Sequence, residues 1–513
     1  ARARGGGAAM RQLPPEFTPY GWAPSTAELA ARAGLDPVEI VRYDGNVPPL
    51  PLPSSRPGAI ARALSEINMY PHGGYPFIHE AIAEYARVEP ENVVLGAGAD
   101  DLIMLVARAF ASPGDVIAIP PAPTYPVFKV AANLAGATTS GDDPVLTFLC
   151  RPGNPYGDLP PIPAARPLAV DEAYFEYSGG ETAAPLIDDG VIVIRTFSKA
   201  FALAGARIGY LLASKDTAAA LQAHQAPAQV STLSVALALA ALRTPPDVTP
   251  VLEERERLAA ELHALGFDVQ PSYANFVYFA TDEADSIAER LLQHGLVVRK
   301  QPGGIRISVR DREDDDLVLA VLAGEDPRPG RSVRGVRATA ETTIRTRLGL
   351  DGAGRVHVGT GAGIYDHFLE QLAFHGGFDL TVEGSGDLET GDHHTAEDTA
   401  IALGEALDRA LGDRRGIARY GSAVVPMDDA LARAAVDLGG RRGAEIALAE
   451  DPGMATHMLE SLASSARMTL HVSAEGRDAH HVAEAAFKAV GRALREATRV
   501  GDAAELPSTK GLL

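Results

Sequence analysis

The stretch GDHHTAED, Gly391–Asp398, sets two adjacent histidines three residues before a glutamate, and the same spacing returns in DAHHVAEA, Asp478–Ala485. On a helix, His393 and Glu397 stand four apart and share a face, as do His480 and Glu484. Neutral imidazole and carboxylate together are good ligands for a divalent cation. The neighbouring His394 and His481 point away at ~100° per residue and so address a different ion. Two copies then make two metal centres, and His367 and His471 offer further imidazoles. A lone HH pair reads more readily as surface histidines or helix caps. Its duplication beside two more histidines favours metal.

Working outward, short alternating strands (TTIRTRLGL, RVHVGT, FDLTVEG, MTLHVSAEG) surround the two HH helices. The order strand, strand, HH-helix occurs twice between residues 334 and 513. This internal repeat predicts an α+β domain of two similar halves. Ahead of it lies GEDPRPGRSVRG, polar and without periodicity, which marks 324–333 as a linker. Residues 16–323 read differently. DDLIMLVARAFA is an amphipathic helix, while DVIAIP, PLAVDEAY and VIVIRTFS are short strands, so the alternation predicts an α/β domain with a doubly wound parallel sheet. VLEERERLAAELHALG is a helix ending at a C-cap glycine, followed by a small α+β subdomain containing FVYFAT and GIRISVR. Residues 1–15 read as a disordered leader, since ARARGGGAAM has no apolar core behind its arginines.

The totals agree with two or three domains. A chain of 513 residues exceeds one ordinary core. Its formal charge of −21 argues against a general nucleic-acid binder. No apolar run approaches the ~20 residues of a membrane span. A single cysteine, Cys150, excludes an internal disulfide and suits a cytoplasmic protein.

With its motifs set out, the segment 334–513 resembles imidazoleglycerol-phosphate dehydratase of histidine biosynthesis. The motifs are TAET (339–342), DHFLEQLAFHGGFDL (366–380), the first HH helix, GIARYG (416–421), VPMDDALA, DLGGR (437–441), TLH, HHVAEAAFKA and PSTKG (507–511). The resemblance implies two manganese ions held by His367, His393, His394, Glu397, His471, His480, His481 and Glu484. It implies Arg419, Arg441, Ser508 and Lys510 for the substrate phosphate, with Glu341, His375 and Lys488 completing the site. Glu341, Glu397 and Lys488 are the catalytic candidates; which carboxylate moves the proton stays open between Glu341 and a metal-bound glutamate. Metal suits this chemistry because no carbonyl acidifies the C–H that must lose its proton. An imidazolate between two cations can hold the electron density left behind.

In the first domain, VIRTFSKAFALAGARIGY places Lys199 just after a buried strand, where a lysine can lose its proton and act as a nucleophile. A single lysine is weak support. DEAY (171–174) adds a carboxylate for a pyridinium nitrogen and a tyrosine for a ring oxygen, and GAGADD (96–101) opens a helix whose N–H groups can cradle phosphate. Together with FTPYGW, DGN (44–46), INMYP, PTYPVF, GNPYG (153–157), SYANFV and GIRISV, these residues make 16–323 resemble histidinol-phosphate aminotransferase, a fold-type I pyridoxal-phosphate enzyme. The resemblance implies Lys199 as the cofactor-bonding lysine, Asp171 against the pyridinium nitrogen, Tyr174 and Asn154 on the ring oxygen, and Tyr125 stacked on the ring. It implies Ala99, Asp100, Ser198 and Arg207 around the cofactor phosphate, with Tyr70 reaching in from a partner subunit. Arg306 would meet the carboxylate of glutamate, the amino donor, and Arg299 with Tyr20 the substrate phosphate. The family's acidic DGNENP-like stretch is here DGNVPP, and its Asn-Pro-rich turn is reduced to RPGNPYG.

The two resemblances name consecutive steps, the ketone made by the second domain being the substrate of the first. They imply a homo-oligomer, with dimeric contacts for the aminotransferase and a larger assembly for the dehydratase. Other readings are a different aminotransferase or decarboxylase of the same fold in front, an inactive oligomerisation scaffold there, or a metal-storage module behind.

Overall fold

The computed structural model describes residues 23–35, 37–48, 67–71, 74–325, 331–352, 354–388 and 391–501, with the single positions 17, 19, 21 and 64. The readings placed on residues 1–15, Tyr20, Ser508 and Lys510 lie outside the described residues. Two compact units divide the chain, Ala1–Pro327 and Arg328–Leu513. The strand Ser332–Ala338 begins inside the segment read as linker, because SVRGVRA pairs antiparallel with Thr342–Gly349.

In the first unit, a six-stranded sheet runs in the order Val93–Gly96, Gly209–Leu212, Val191–Thr196, Leu168–Asp171, Leu146–Cys150 and Ile117–Ala118. Val191–Thr196 is buried at every position, as a central strand covered on both faces must be. The expected all-parallel sheet needs one correction. Gly209–Leu212 runs against both neighbours, because the short excursion after Thr196 returns the chain without a helical crossover. The remaining strands point one way, so Gly96, Thr196, Asp171 and Cys150 all end on one edge, the edge where open α/β sheets bind ligands. A second, four-stranded sheet (Arg299–Gln301, Gly304–Ser308, Phe276–Ala280, Asp268–Gln270) is antiparallel throughout. The helix Thr249–Ala264 precedes it, with Gly266 in the left-handed conformation just past its end.

The second unit is a true repeat, richer than the sequence indicated. Each half runs strand, strand, strand, helix, strand, HH-helix. The first half comprises Ser332–Ala338, Thr342–Gly349, Val356–Gly359, the helix Gly363–Gly376, Asp379–Gly386 and the HH helix His393–Leu411. The second comprises Tyr420–Met427, Ala430–Asp437, Gly443–Leu448, the helix Ala455–Ser465, Thr469–Glu475 and the HH helix Ala479–Ala497. Both sheets share one strand order, with the third strand joined parallel at the edge. Alternate burial along Thr342–Gly349 and Ala430–Asp437 shows one face of each sheet turned to a shared helical core.

The helices cross between halves. Two glycines, each eleven residues after the first histidine of its pair, set the approach. A Cβ on Gly491 would lie 2.2 Å from the Leu372 carbonyl oxygen, and one on Gly404 2.7 Å from that of Leu462. Each HH helix thus packs backbone to backbone on the other half's shorter helix.

Candidate active sites

That crossing assembles two groups of three metal donors. His367, His480 and Glu484 form one; His393, Glu397 and His457 form the other, with the donor atoms of each within 4.8 Å of one another. Within each HH helix the spacing of four works as expected: His480 Nε2 is 3.1 Å from Glu484 and His393 Nε2 3.5 Å from Glu397. The third imidazole comes from the other half. His367 Nε2 lies 3.4 Å from Glu484, and His457 Nε2 3.2 Å from Glu397. The rings pair alike, His367 over His480 at 5.6 Å and His393 over His457 at 5.5 Å. Imidazole, imidazole and carboxylate are a donor set for a divalent transition-metal ion, and the residues fit one.

His457 joins a group in which the sequence reading did not name it, and His471, which that reading did name, is not brought to either group. His471 sits exposed on Thr469–Glu475, its strand register opposite Ala435 and Glu445, and joins neither group. His457 stands on Ala455–Ser465 where His367 stands on Gly363–Gly376; matching the two halves of the repeat would have found it.

His394 and His481 face away from their own groups, as their positions on the helix require. Each is held at Nδ1 by an aspartate, Asp387 at 3.0 Å and Asp429 at 2.7 Å. Hydrogen bonding to these aspartates raises both imidazoles above their ordinary values. Glu341 approaches His394 at 3.8 Å. Lys488 donates to Glu484 at 2.7 Å. Burial pushes the Glu484 carboxyl up, but Lys488 and His367 outweigh it and hold it below the usual range. His375 is lowered by burial and by Lys488 and Arg492. Arg419 and Arg441 converge on Asp437, at 2.6 Å and 3.8 Å.

In the first unit, the C-terminal strand edge carries a second site. Asp171 ends its strand buried, and burial raises its carboxyl to about 7 despite a hydrogen bond from the Ala173 N–H. A buried carboxylate in that state calls for a cationic partner, which a pyridinium supplies. Lys199 is lowered to about 8 by burial and by Arg306, and its Nζ donates to the Gly45 carbonyl at 3.0 Å. Tyr174 accepts from Asn46 at 2.9 Å, a buried residue that the sequence reading quoted within DGN but gave no role. Arg306 donates to Asn154 Oδ1 and to the Asp44 carbonyl, both at 2.8 Å. Arg299 lies opposite Arg306 in the strand register, so the two side chains leave the same face. The helix Ala99–Phe110 starts at Gly98 (φ 90°) without a side-chain cap, so its first N–H groups are available to an anion. Arg207 flanks that turn, 3.3 Å from Asp100, which also accepts from Tyr125. Ser198 hydrogen-bonds Thr196. Tyr70 is 81% exposed. The residues fit pyridoxal phosphate.

The family model for aminotransferase class I and II matches residues 42–141 and 142–322, and that for imidazoleglycerol-phosphate dehydratase matches 360–494. The dehydratase of Salinispora tropica is 53% identical over 201 residues, 36% of this chain and 99% of its own length. That of Methanothermobacter thermautotrophicus is 51% identical over 185 residues, 34% of this chain and 95% of its own. The chain belongs to both families. Among solved structures, histidinol-phosphate aminotransferase from Sinorhizobium meliloti in complex with pyridoxal-5'-phosphate matches at TM-score 0.52 and 26% identity, over 62% of this chain and 99% of that one. A Thermus thermophilus aspartate aminotransferase mutant shares the fold at TM-score 0.52 and 23% identity, over 61% and 100%. The first unit is thus a fold-type I aminotransferase domain and the second an imidazoleglycerol-phosphate dehydratase domain. Among the described residues, no helix is long and apolar enough to cross a membrane.

Proposed function

We propose that the chain catalyses two consecutive steps of histidine biosynthesis. The dehydratase domain removes water from imidazoleglycerol phosphate, and the aminotransferase domain passes an amino group from glutamate to the resulting imidazole acetol phosphate, giving histidinol phosphate and 2-oxoglutarate. The observation that carries this reading is the pair of cross-half donor groups, each beside a carboxylate-held spare histidine, in a chain that also holds the Lys199–Asp171 site.

In the dehydration, a proton leaves one carbon, hydroxide leaves its neighbour, and the enol becomes the ketone. Two manganese ions, when bound, supply Lewis acidity toward the imidazole. His367, His457, His393, His480, Glu397 and Glu484 would hold them, and His394 and His481, which face away from their own groups, would supply the further imidazoles. Glu341, beside His394, is the carboxylate free to move the proton. Arg419 and Arg441 offer planar guanidinium groups to the phosphate, while His375 and Lys488 complete the site.

In the transamination, pyridoxal phosphate supplies an electron sink for the substrate α-carbon. Lys199, lowered toward neutrality, moves the proton at that carbon. Asp171 keeps a pyridinium nitrogen charged, while Tyr174 and Asn154 bind the ring oxygen and Tyr125 covers the ring face. Arg306 receives the glutamate carboxylate and Arg299 the substrate phosphate. Tyr70, exposed on its own chain, serves the site of a second subunit, and the chain works as a cytoplasmic homo-oligomer.

The test supplies the pure protein with imidazoleglycerol phosphate, manganese, pyridoxal phosphate and glutamate. Histidinol phosphate is the expected product. Arrest at the ketone would refute the aminotransferase half, and persistence of the starting phosphate the dehydratase half.

A further inference from the structure

Asp398 follows the metal-donor glutamate of the first HH helix, yet its carboxylate serves a neighbouring hairpin. Its side chain is 10% exposed. Arg337 Nε donates to it at 2.7 Å, Thr339 Oγ1 at 3.2 Å, and Thr342 Oγ1 in a short hydrogen bond. These three residues frame the turn between Ser332–Ala338 and Thr342–Gly349. Inside the turn, Thr339 Oγ1 also accepts from the N–H groups of Glu341 and Thr342, at 3.2 and 3.0 Å. Glu341 sits at the tip, half-exposed and 3.8 Å from His394.

The second half provides an internal control. Its matching hairpin turns through Asp428 and Asp429 alone, and Asp429 reaches His481 directly at 2.7 Å. There the residue in the place of Asp398 is Ala485, fully buried in an equally long HH helix. Neither the helix nor the metal group therefore requires an aspartate at this position. A buried carboxylate is costly unless paired, and here its hydrogen bonds from Arg337, Thr339 and Thr342 all come from the strands and turn that present Glu341.

We propose that Asp398 is a positioning residue for the dehydration: it anchors the Thr339–Thr342 turn so that Glu341 faces His394 and the substrate. The proposal rests on the dehydratase reading given above. Its effect passes through Glu341, since the Asp398 carboxylate is engaged by the hairpin and its position is dispensable to the twin metal group.

The test is a double-mutant cycle in the full-length, manganese-loaded chain, using Asp398→Asn, Glu341→Gln and the pair. Asp398→Asn is expected to lower kcat about 10- to 100-fold, as for a catalytic group misplaced by about 1 Å, with KM changed less than about threefold and manganese content unchanged. Added to Glu341→Gln, it should lower kcat no further. Multiplying losses, a kcat for Asp398→Asn within twofold of the parent, or loss of manganese would each overturn the proposal. Thr342→Val removes the turn's hydrogen bond to Asp398 while leaving every residue of the HH helix unchanged; it must show the same non-additivity, and it decides the matter if Asp398→Asn does not fold. A parent chain that fails to dehydrate imidazoleglycerol phosphate would instead refute the functional reading, a result separable from an active parent indifferent to Asp398.

Discussion

Replacing Gly491 by alanine tests whether backbone contact between helices sets the metal geometry. The new Cβ would meet the Leu372 carbonyl oxygen at 2.2 Å and the Gly376 nitrogen at 3.1 Å, and real Cβ contacts essentially never fall below 3.0 Å. The clashing atoms are backbone, so no rotamer relieves them, and the helices must part by about 1 Å. Overpacking of this kind costs ~1–3 kcal/mol, while exchanging a mid-helix glycine for alanine returns ~1 kcal/mol in propensity. The net loss is therefore about 0–2 kcal/mol, or up to about 8 °C in the Tm of a unit this size. Metal binding responds more sharply, because ligand distances must hold within about 0.2 Å. The helices that part are those carrying His367 and the His480–Glu484 pair, so affinity at this centre should fall about tenfold or more. Calorimetric titration of the metal-free chain with manganese reads this directly. Gly404→Ala, with its closest backbone contact at 2.7 Å, should weaken the other centre by less. Unchanged manganese affinity in Gly491→Ala, accompanied by a raised Tm, would refute the reasoning.

Three further outcomes follow from the sites. Lys199→Ala should abolish transamination, by about a thousandfold or more, while leaving dehydration within twofold, so that the ketone accumulates; equal loss of both activities would contradict two independent sites. His457→Ala should remove about one manganese per chain and His471→Ala none, as measured by metal analysis after dialysis. In the cofactor-free chain, Asp171 and Glu176 are both raised to about 7, mainly by burial. Their folded forms therefore hold protons that the unfolded chain releases near pH 4, and the stability linked to them is lost as pH rises from about 4 to 7. Asp171→Asn should flatten that decline in Tm, and an unchanged slope would show that Asp171 is not held protonated.

Some of this was legible in residues alone, and the reasons are physical. His393 with Glu397 and His480 with Glu484 share a helix face by period, so each pair could be read without tertiary information. Lys199, Asp171 and the Gly96–Asp101 turn stand just past buried strands, whose apolar runs locate the sheet edge. His457 was invisible for the opposite reason: it stands on its helix without a second histidine, and it gains meaning only when the other half's HH helix crosses it. His471 misled because a histidine in a strand next to an HH motif is close in sequence, whereas its strand face is turned to solvent. The reversed strand Gly209–Leu212 was hidden in a segment whose lysine and arginine drew attention to chemistry. Asp398 reads from sequence as one more surface acid of an amphipathic helix, and only the hairpin beneath it gives it a function.

The exchange of histidines between halves bears on ancestry. A chain containing one half alone would carry an HH helix and a shorter helix with one donor histidine, yet could not bring them together. Two such chains facing each other across a two-fold axis would close both centres at once, each lending that histidine to its neighbour. In such a pair the centres are identical, and any change in one is imposed on the other. Joining the halves in tandem removes that constraint and also the dependence of folding on protomer concentration. The aspartate at 398 and the alanine at 485 are then what independence permits: one centre keeps an anchored glutamate beside it, while its twin takes a shorter turn.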